Sequence, residues 1–267
     1  MYDFQFLKAQ SVEQAVQMLQ SIENAKIIAG GMTLIPTMKQ RLASPSALID
    51  LSSITSLTQI QHQGQFIEIG SLCSHDQVAH SSVILQHLPA LAQLAGLIAD
   101  PQVRYKGTIG GSVVNNDPSA DYPAALLGLN ATVQTSRREI KADDFFLGMF
   151  STDLAADEIV LSIRFPVSKS SSYQKFRHPS TGYALCGVWI SRGEQACRVA
   201  VGGVFPSARR WRQAEAKLQK SFTPEVLLDA PIELDDILVS HDSSPHYKAQ
   251  LMRVLSQRAV KELNPHD

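Results

Sequence analysis

The chain has 267 residues, with 24 Lys plus Arg against 25 Asp plus Glu and a formal net charge of -1. That balance excludes a surface built to neutralise nucleic-acid phosphates or anionic lipid. A 44% hydrophobic and 18% charged composition excludes a disordered chain, and the length suits one large or two modest domains.

Three cysteines, Cys73, Cys186 and Cys197, form no C-x-x-C pair and fall short of the four thiolates of a structural zinc or an iron–sulfur cluster. If the protein does redox chemistry, its metals are expected elsewhere, and no residue is assigned as a metal ligand. The start MYDFQFLKAQ lacks a basic segment followed by an apolar one, and no run approaches the ~18 apolar residues of a membrane span. A cytoplasmic location, with neither membrane nor nucleic acid as partner, is the expectation.

In chain order, the first segment reads as strand, helix, strand. Ser11 and Gln14 form an S-x-x-Q capping pattern, and Val12, Ala15, Val16 and Leu19 recur at helical spacing before the strand Ala25-Lys26-Ile27-Ile28. That strand runs into Gly30-Gly31. A short helix is predicted over 33–41 with Pro36 in its first turn, then a strand from Ser46 to Leu51, closing an α/β unit near residue 53.

A second unit opens with the strand Phe66-Ile67-Glu68-Ile69 and a further S-x-x-Q box from Ser74 to Gln77. Pro89 starts a helix whose Leu91, Leu94, Ala95 and Ile98 share a face. The stretch from Asp100 to Asp121, with three glycines, two prolines and no amphipathic period, is predicted as a long loop. Helix resumes at Pro123, a hairpin follows over 131–141, and Ile159, Leu161, Ile163 and Phe165 mark a half-buried strand ending at Pro166.

The run Ser168 to Ser172 has linker composition, which places a domain boundary between 1–167 and 172–267. Beyond it, Tyr173 to Arg177, Tyr183 to Ile190 and Cys197 to Val204 read as three strands, with helices over about 208–220 and 245–263. The last helix is expected to expose Lys248, Arg253, Arg258 and Lys261.

Two glycine turns stand out, Ile27-Ile28-Ala29-Gly30-Gly31-Met32-Thr33 and Gly107-Thr108-Ile109-Gly110-Gly111-Ser112. Paired glycines lack a Cβ that would keep a ligand from the backbone, and successive N–H groups converge there on an anion without any formal charge. A tight structural turn explains each of them equally simply. Neither matches G-x-G-x-x-G or the P-loop, and H-E-x-x-H and G-x-S-x-G are absent, so Rossmann, nucleotide-hydrolase, metalloprotease and serine-hydrolase readings lack support.

Three stretches carry a resemblance: Ala29-Gly30-Gly31 with Leu34 and Pro36; Ile69-Gly70 with His75; and Thr108-Ile109-Gly110-Gly111 followed by Asp117-Pro118 and Asp121-x-Pro123. With Tyr173-x-Lys175-Phe176 and Tyr183-Ala184-Leu185 they cover nearly the whole chain. The sequence resembles the FAD-binding medium subunits of molybdenum hydroxylases, the xanthine dehydrogenase and carbon monoxide dehydrogenase family. The resemblance implies an α+β chain: a vanillyl-alcohol-oxidase-like FAD-binding domain of two α/β subdomains (about 1–53 and 54–167), then a smaller α+β domain with a three-stranded antiparallel sheet.

It also implies cofactor contacts at Ile28, Ala29, Gly30, Gly31, Met32, Thr33, Leu34, Ile98, Thr108, Ile109, Gly110, Gly111, Ser112, Asp121, Val160, Lys175, Arg177 and Tyr183. Both turns would hold the FAD pyrophosphate, Thr108 and Ser112 donating. Asp121 would accept from ribose or ribityl hydroxyls, or simply cap a helix. Tyr183 would lie near one face of the isoalloxazine ring, and Lys175 or Arg177 near its N1 edge. Met32 stands where relatives carry a polar residue, leaving a backbone contact, and Asn115-Asn116 replaces residues that are often small. His75 is read as a polar surface residue without a catalytic role, and no catalytic residue is assigned.

The implied function is electron transfer from iron–sulfur clusters through FAD to an external acceptor. The molybdopterin and the 2Fe–2S clusters would sit in partner subunits of a heterotrimer. A self-contained FAD oxidase and a non-catalytic nucleotide-binding assembly protein remain the alternatives.

Overall fold

The computed structural model describes residues 1–193, 196–239 and 243–264. Strand β1 (Gln5–Lys8), helix α1 (Val12–Ser21), strand β2 (Ala25–Ile28), helix α2 (Leu34–Lys39) and strand β3 (Ala47–Asp50) build a parallel sheet of order β1-β3-β2. Strand β3 is central, and its Ala47, Leu48 and Ile49 are all buried, as expected of a parallel strand paired on both edges. The Ser11 Oγ accepts from the Gln14 N–H at 3.2 Å, but the Gln14 side chain accepts from Gln10 N–H and not from Ser11, so only half of the capping box forms.

The second unit begins with β4 (Ile60–Gln63) and β5 (Phe66–Gly70), followed by six short helices: α3 (His75–His80), α4 (Ser82–His87), α5 (Pro89–Gly96), α6 (Pro101–Lys106), α7 (Ile109–Asn115) and α8 (Tyr122–Leu129). Both halves of the Ser74–Gln77 capping box are present at α3. Then come β6 (Thr132–Thr135), β7 (Glu139–Lys141), α9 (Ala142–Phe145), the small hairpin β8 (Phe146–Gly148) and β9 (Ser151–Thr152), and β10 (Val160–Pro166). The resulting antiparallel sheet runs β4-β5-β10-β6-β7. All eight residues of α8 are buried, which an all-apolar helix requires.

The predicted long loop over 100–121 is instead largely helical. Asp100 caps α6, its Oδ1 accepting from Val103 N–H at 2.9 Å with Pro101 behind it, and Thr108 caps α7. Helices of six and seven residues are too short to show an amphipathic period, and paired glycines inside α7 hide it further. Asn116 ends α7 in the left-handed region at φ 43°. Its buried amide donates to the carbonyls of Gly148 and Ser151, fastening the β8–β9 hairpin, which accounts for the unusual Asn here.

The C-terminal part consists of β11 (Ser171–Arg177), β12 (Ala184–Arg192), β13 (Cys197–Gly202), β14 (Arg209–Arg210), α10 (Arg212–Lys220) and α11 (Pro245–Leu263). Its sheet has four strands, β11-β12-β13-β14, where three were expected. Arg209 and Arg210 pair with Val201 and Ala200, so the helix predicted from 208 starts at Arg212. The linker-like serines also belong to structure: Ser171 and Ser172 open β11 and are buried. Tyr173 and Trp189 pack into the same core as Ile67, Leu91, Tyr122 and Phe165. Lys248, expected on a solvated face, is 3% exposed, with Nζ 3.4 Å from the Gly203 carbonyl oxygen. Among the described residues no helix is long and apolar enough to cross a membrane.

Candidate functional site

A cleft of about 640 Å³ runs between the parallel unit, helices α6–α8 and the β11–β12 connection. Its volume falls within the roughly 300–1,000 Å³ of cofactor sites. Both glycine turns line it, and their backbones are used differently.

At the first turn, Gly31 takes φ +70°, which only glycine adopts without strain. The backbone N–H groups of Gly30, Gly31, Met32 and Thr33 donate to no partner among the described residues. Gly30 approaches another backbone: a Cβ on it would lie 2.0 Å from the Lys106 carbonyl oxygen, where the turn meets the end of α6.

At the second turn every N–H from 109 to 112 is engaged. Ile109 donates to Cys73 O at 3.0 Å, Gly110 to Ser71 O at 2.9 Å, Gly111 to Thr108 Oγ1 at 3.1 Å and Ser112 to Thr108 O at 3.0 Å. The convergence of free N–H groups expected of both turns is therefore present only at the first. The second offers hydroxyls, since Thr108 Oγ1 accepts from Gly111 and keeps its own proton to donate. It also offers room: a Cβ on the exposed Gly111 would meet only Thr108 Oγ1, at 3.0 Å.

The segment beneath the second turn corrects the reading of His75. This histidine is 5% exposed, its N–H donates to Gly107 O at 2.9 Å, and its Nε2 lies 2.7 Å from where a Gly107 Cβ would be. Burial, aided by the nearby Arg104 charge, pushes its pKa down to about 4, so it is neutral at physiological pH. Its Nδ1, the Ser71 Oγ and the Tyr122 hydroxyl are buried without a partner among the described residues, and His75 and Ser71 line the cleft. Unsatisfied buried polar atoms at one wall fit a site that receives a polar ligand or water.

Another part of the cleft lining is charged. Lys175 Nζ donates to Asp121 Oδ2 at 2.9 Å and to the Leu97 carbonyl at 3.2 Å, and the Tyr173 hydroxyl donates to Asp121 Oδ1. Asp121 makes no side-chain cap to α8. Burial raises its pKa, opposed chiefly by the Lys175 charge. Tyr183, half exposed, stands on this rim.

Of the residues singled out from sequence, the cleft brings together Ile28 through Leu34, Ile98, Thr108, Gly110, Gly111, Ser112, Asp121, Val160, Lys175 and Tyr183. Two differ. Ile109 is fully buried and faces the core beside Val113 and Tyr122, because α7 turns that position inward. Arg177 does not line the cleft; its Nη2 donates to Ala99 O at 2.9 Å and its Nε to Gly182 O, bracing two residues that do. Sequence reasoning missed Ser71, Phe150, Leu154 and Glu158, which line the cleft from separate elements and carry no local pattern, and it named Asp117 as part of a motif without giving it a contact. His75 was named from its motif, but its burial was not legible.

The sequence profile described as FAD binding domain in molybdopterin dehydrogenase matches residues 2–168. This chain belongs to that family. The nicotine 6-hydroxylase medium subunit of Paenarthrobacter nicotinovorans is 35% identical, over 94% of this chain and 92% of that protein. The carbon monoxide dehydrogenase medium chain of Hydrogenophaga pseudoflava is 32% identical, covering 96% of each chain. In structure, this FAD-binding family member superposes on a chain of the carbon monoxide dehydrogenase from the same organism with a TM-score of 0.91, over 99% of this chain and 98% of that one.

Proposed function

We propose that this chain is the FAD-carrying electron-transfer subunit of a molybdenum hydroxylase, taking electrons from a 2Fe–2S partner and passing them to an external acceptor. The observation that carries the reading is the placement in one cleft of the free N–H groups of 30–33 together with the hydroxyls of Thr108 and Ser112 and the exposed Gly111. Those N–H groups suit diphosphate oxygens. The apolar wall of Ile28, Leu154, Ile159 and Val160 suits the adenine, and the rim of Tyr183, Asp121 and Lys175 suits the flavin ring with its polar edge.

When bound, FAD supplies the acceptance and release of electrons. The chain's own residues would hold it: Gly30 to Thr33 by backbone donation, Thr108 and Ser112 by hydroxyl donation. Ile98 and Tyr183 would pack against the ring. Asp121, bonded on both oxygens by protein, keeps lone pairs for one ribityl hydroxyl.

The division into a vanillyl-alcohol-oxidase-like FAD domain of two α/β subdomains and a C-terminal domain, joined over 168–172, is supported by the end of the family match at residue 168. A heterotrimer with a molybdopterin-binding and an iron–sulfur subunit is supported by the medium-subunit names of the relatives. Three free, buried thiols suit a reducing compartment such as the cytoplasm.

The test is direct. The full chain, denatured after expression with its partners, releases FAD; FMN or no flavin overturns the reading. The FAD-loaded chain alone is reduced by dithionite and turns over no aldehyde, purine or alcohol, whereas steady turnover by the pure chain moves a self-contained oxidase into its place.

A further inference from the structure

Lys175 projects from β11 into the cleft wall with 2% of its side chain exposed, and Asp121 faces it with 5%. Both carboxylate oxygens are bonded, one by the ammonium at 2.9 Å and the other by the Tyr173 hydroxyl. The third partner is a backbone carbonyl, Leu97 O, at 3.2 Å. A lysine recruited to bring positive charge to a ligand would present its ammonium bare. Here the charge is answered before any ligand arrives, at a depth where water screens little. Asp121 has given up the cap of its own helix to do so, for its backbone stands at φ -81° and ψ -44° with no side-chain cap bond. A further cation whose charge reaches Asp121, Arg177, is spent on the carbonyls of Ala99 and Gly182. Asp117 also lines the cleft, and its carboxylate, like that of Asp121, acts on Tyr183.

We infer that Asp121 cancels the charge of Lys175 at the flavin end of the cleft, so that the ring meets a fixed dipole instead of a free cation and its reduction potential is held down. The inference rests on the reading of the cleft as a FAD site and deepens it. Reduction places negative charge on the pyrimidine edge of a flavin, and a bare cation beside that edge would stabilise the reduced form and raise the potential. A carboxylate in contact with the cation removes most of that effect. Asp121 on this account sets the charge beside the ring in addition to accepting from the ribityl chain.

The experiment uses the full chain loaded with FAD and reduced stepwise with dithionite beside a reference dye; apo-protein melting and FAD affinity are recorded for each variant. Asp121→Asn is expected to shift the flavin–dye equilibrium at least tenfold toward reduced flavin, about 30 mV for a two-electron couple. Lys175→Met shifts it toward oxidised flavin, Lys175→Arg leaves it within threefold of wild type, and the double variant Asp121→Asn/Lys175→Met returns it to within threefold. A merely structural pair would change melting and affinity while leaving the potential in place. Asp121→Asn that binds FAD at an unshifted potential overturns the inference, as does a double variant shifted as far as the single one. Should Asp121→Asn fail to fold, the two Lys175 variants decide: equal potentials in Lys175→Met and wild type overturn it. A wild-type chain that takes up no FAD overturns the functional reading itself.

Discussion

At Gly30-Gly31 the missing side chains let a turn with unspent N–H groups nestle against the end of α6, while at Gly110-Gly111 they let an internally bonded helix start lie flat on residues 71–75. A Cβ on Gly110 would come within 2.6 Å of Ser71 O, so that glycine answers to the protein, and only its neighbour Gly111 faces open space. The comparison teaches that a doubled glycine is not one device. Its first residue in each pair solves a packing problem between segments distant in sequence. One turn keeps unspent backbone N–H groups, and the other has room above Gly111, where a Cβ would meet only Thr108 Oγ1.

The largest effect should come from breaking the packing glycine of the first turn. Gly30→Ala puts a methyl group against the rigid Lys106 carbonyl, so the apo-protein should lose several kcal/mol in urea unfolding. An unfolding midpoint unchanged from wild type would show that the two segments do not approach as described.

Next in size is a pH effect confined to the second turn. His75 titrates at about 4 when folded, below its ordinary 6.5, so between those values the unfolded chain binds the extra proton. Stability conferred by the neutral, buried ring is thus fully present above pH 6.5 and falls as the pH drops toward 4, by roughly 3 kcal/mol in all. Urea midpoints at pH 4.5, 5.5 and 7 measure this slope, and His75→Gln should flatten it. An equally steep slope in His75→Gln would assign acid sensitivity to another group.

Gly111→Val separates ligand from fold. The apo-protein should unfold within about 1–2 kcal/mol of wild type stripped of FAD, since only Thr108 Oγ1 must yield, while bound FAD falls at least tenfold. Normal FAD content in a folded variant would remove this turn from the site. The smallest change is Thr108→Ala, which deletes the cap on Gly111 N–H and should cost ~1 kcal/mol, with Thr108→Ser restoring it. If both lose FAD alike while stability returns in the Ser variant, the hydroxyl contact depends on the methyl group as well.

What was legible followed from local rules. The capping box at Ser74, the strand Ala25–Ile28 and the helix Pro245–Leu263 were readable because caps, β-branched runs and apolar spacing act over a few residues. Helices α6 and α7 were not, for six or seven residues hold no periodic face, and α7 is anchored by backbone bonds from Ile109 and Gly110 to the distant Cys73 and Ser71. Strand β14 was missed because two arginines carry no strand signal and are held by the edge of β13.

The sequence by itself determined that the chain is balanced in charge, lacks the thiolates for a cluster, and carries two glycine turns in the order and spacing of a FAD-binding family. Which turn keeps its N–H groups free was set by tertiary contacts, because two of the four groups at the second turn, those of Ile109 and Gly110, are taken up by the distant carbonyls of Cys73 and Ser71. The tertiary structure decided likewise that His75 is buried and neutral and that Asp121 pairs with Lys175 across 54 positions. Burial and charge pairing depend on which distant segments close over a residue, and no local pattern encodes that.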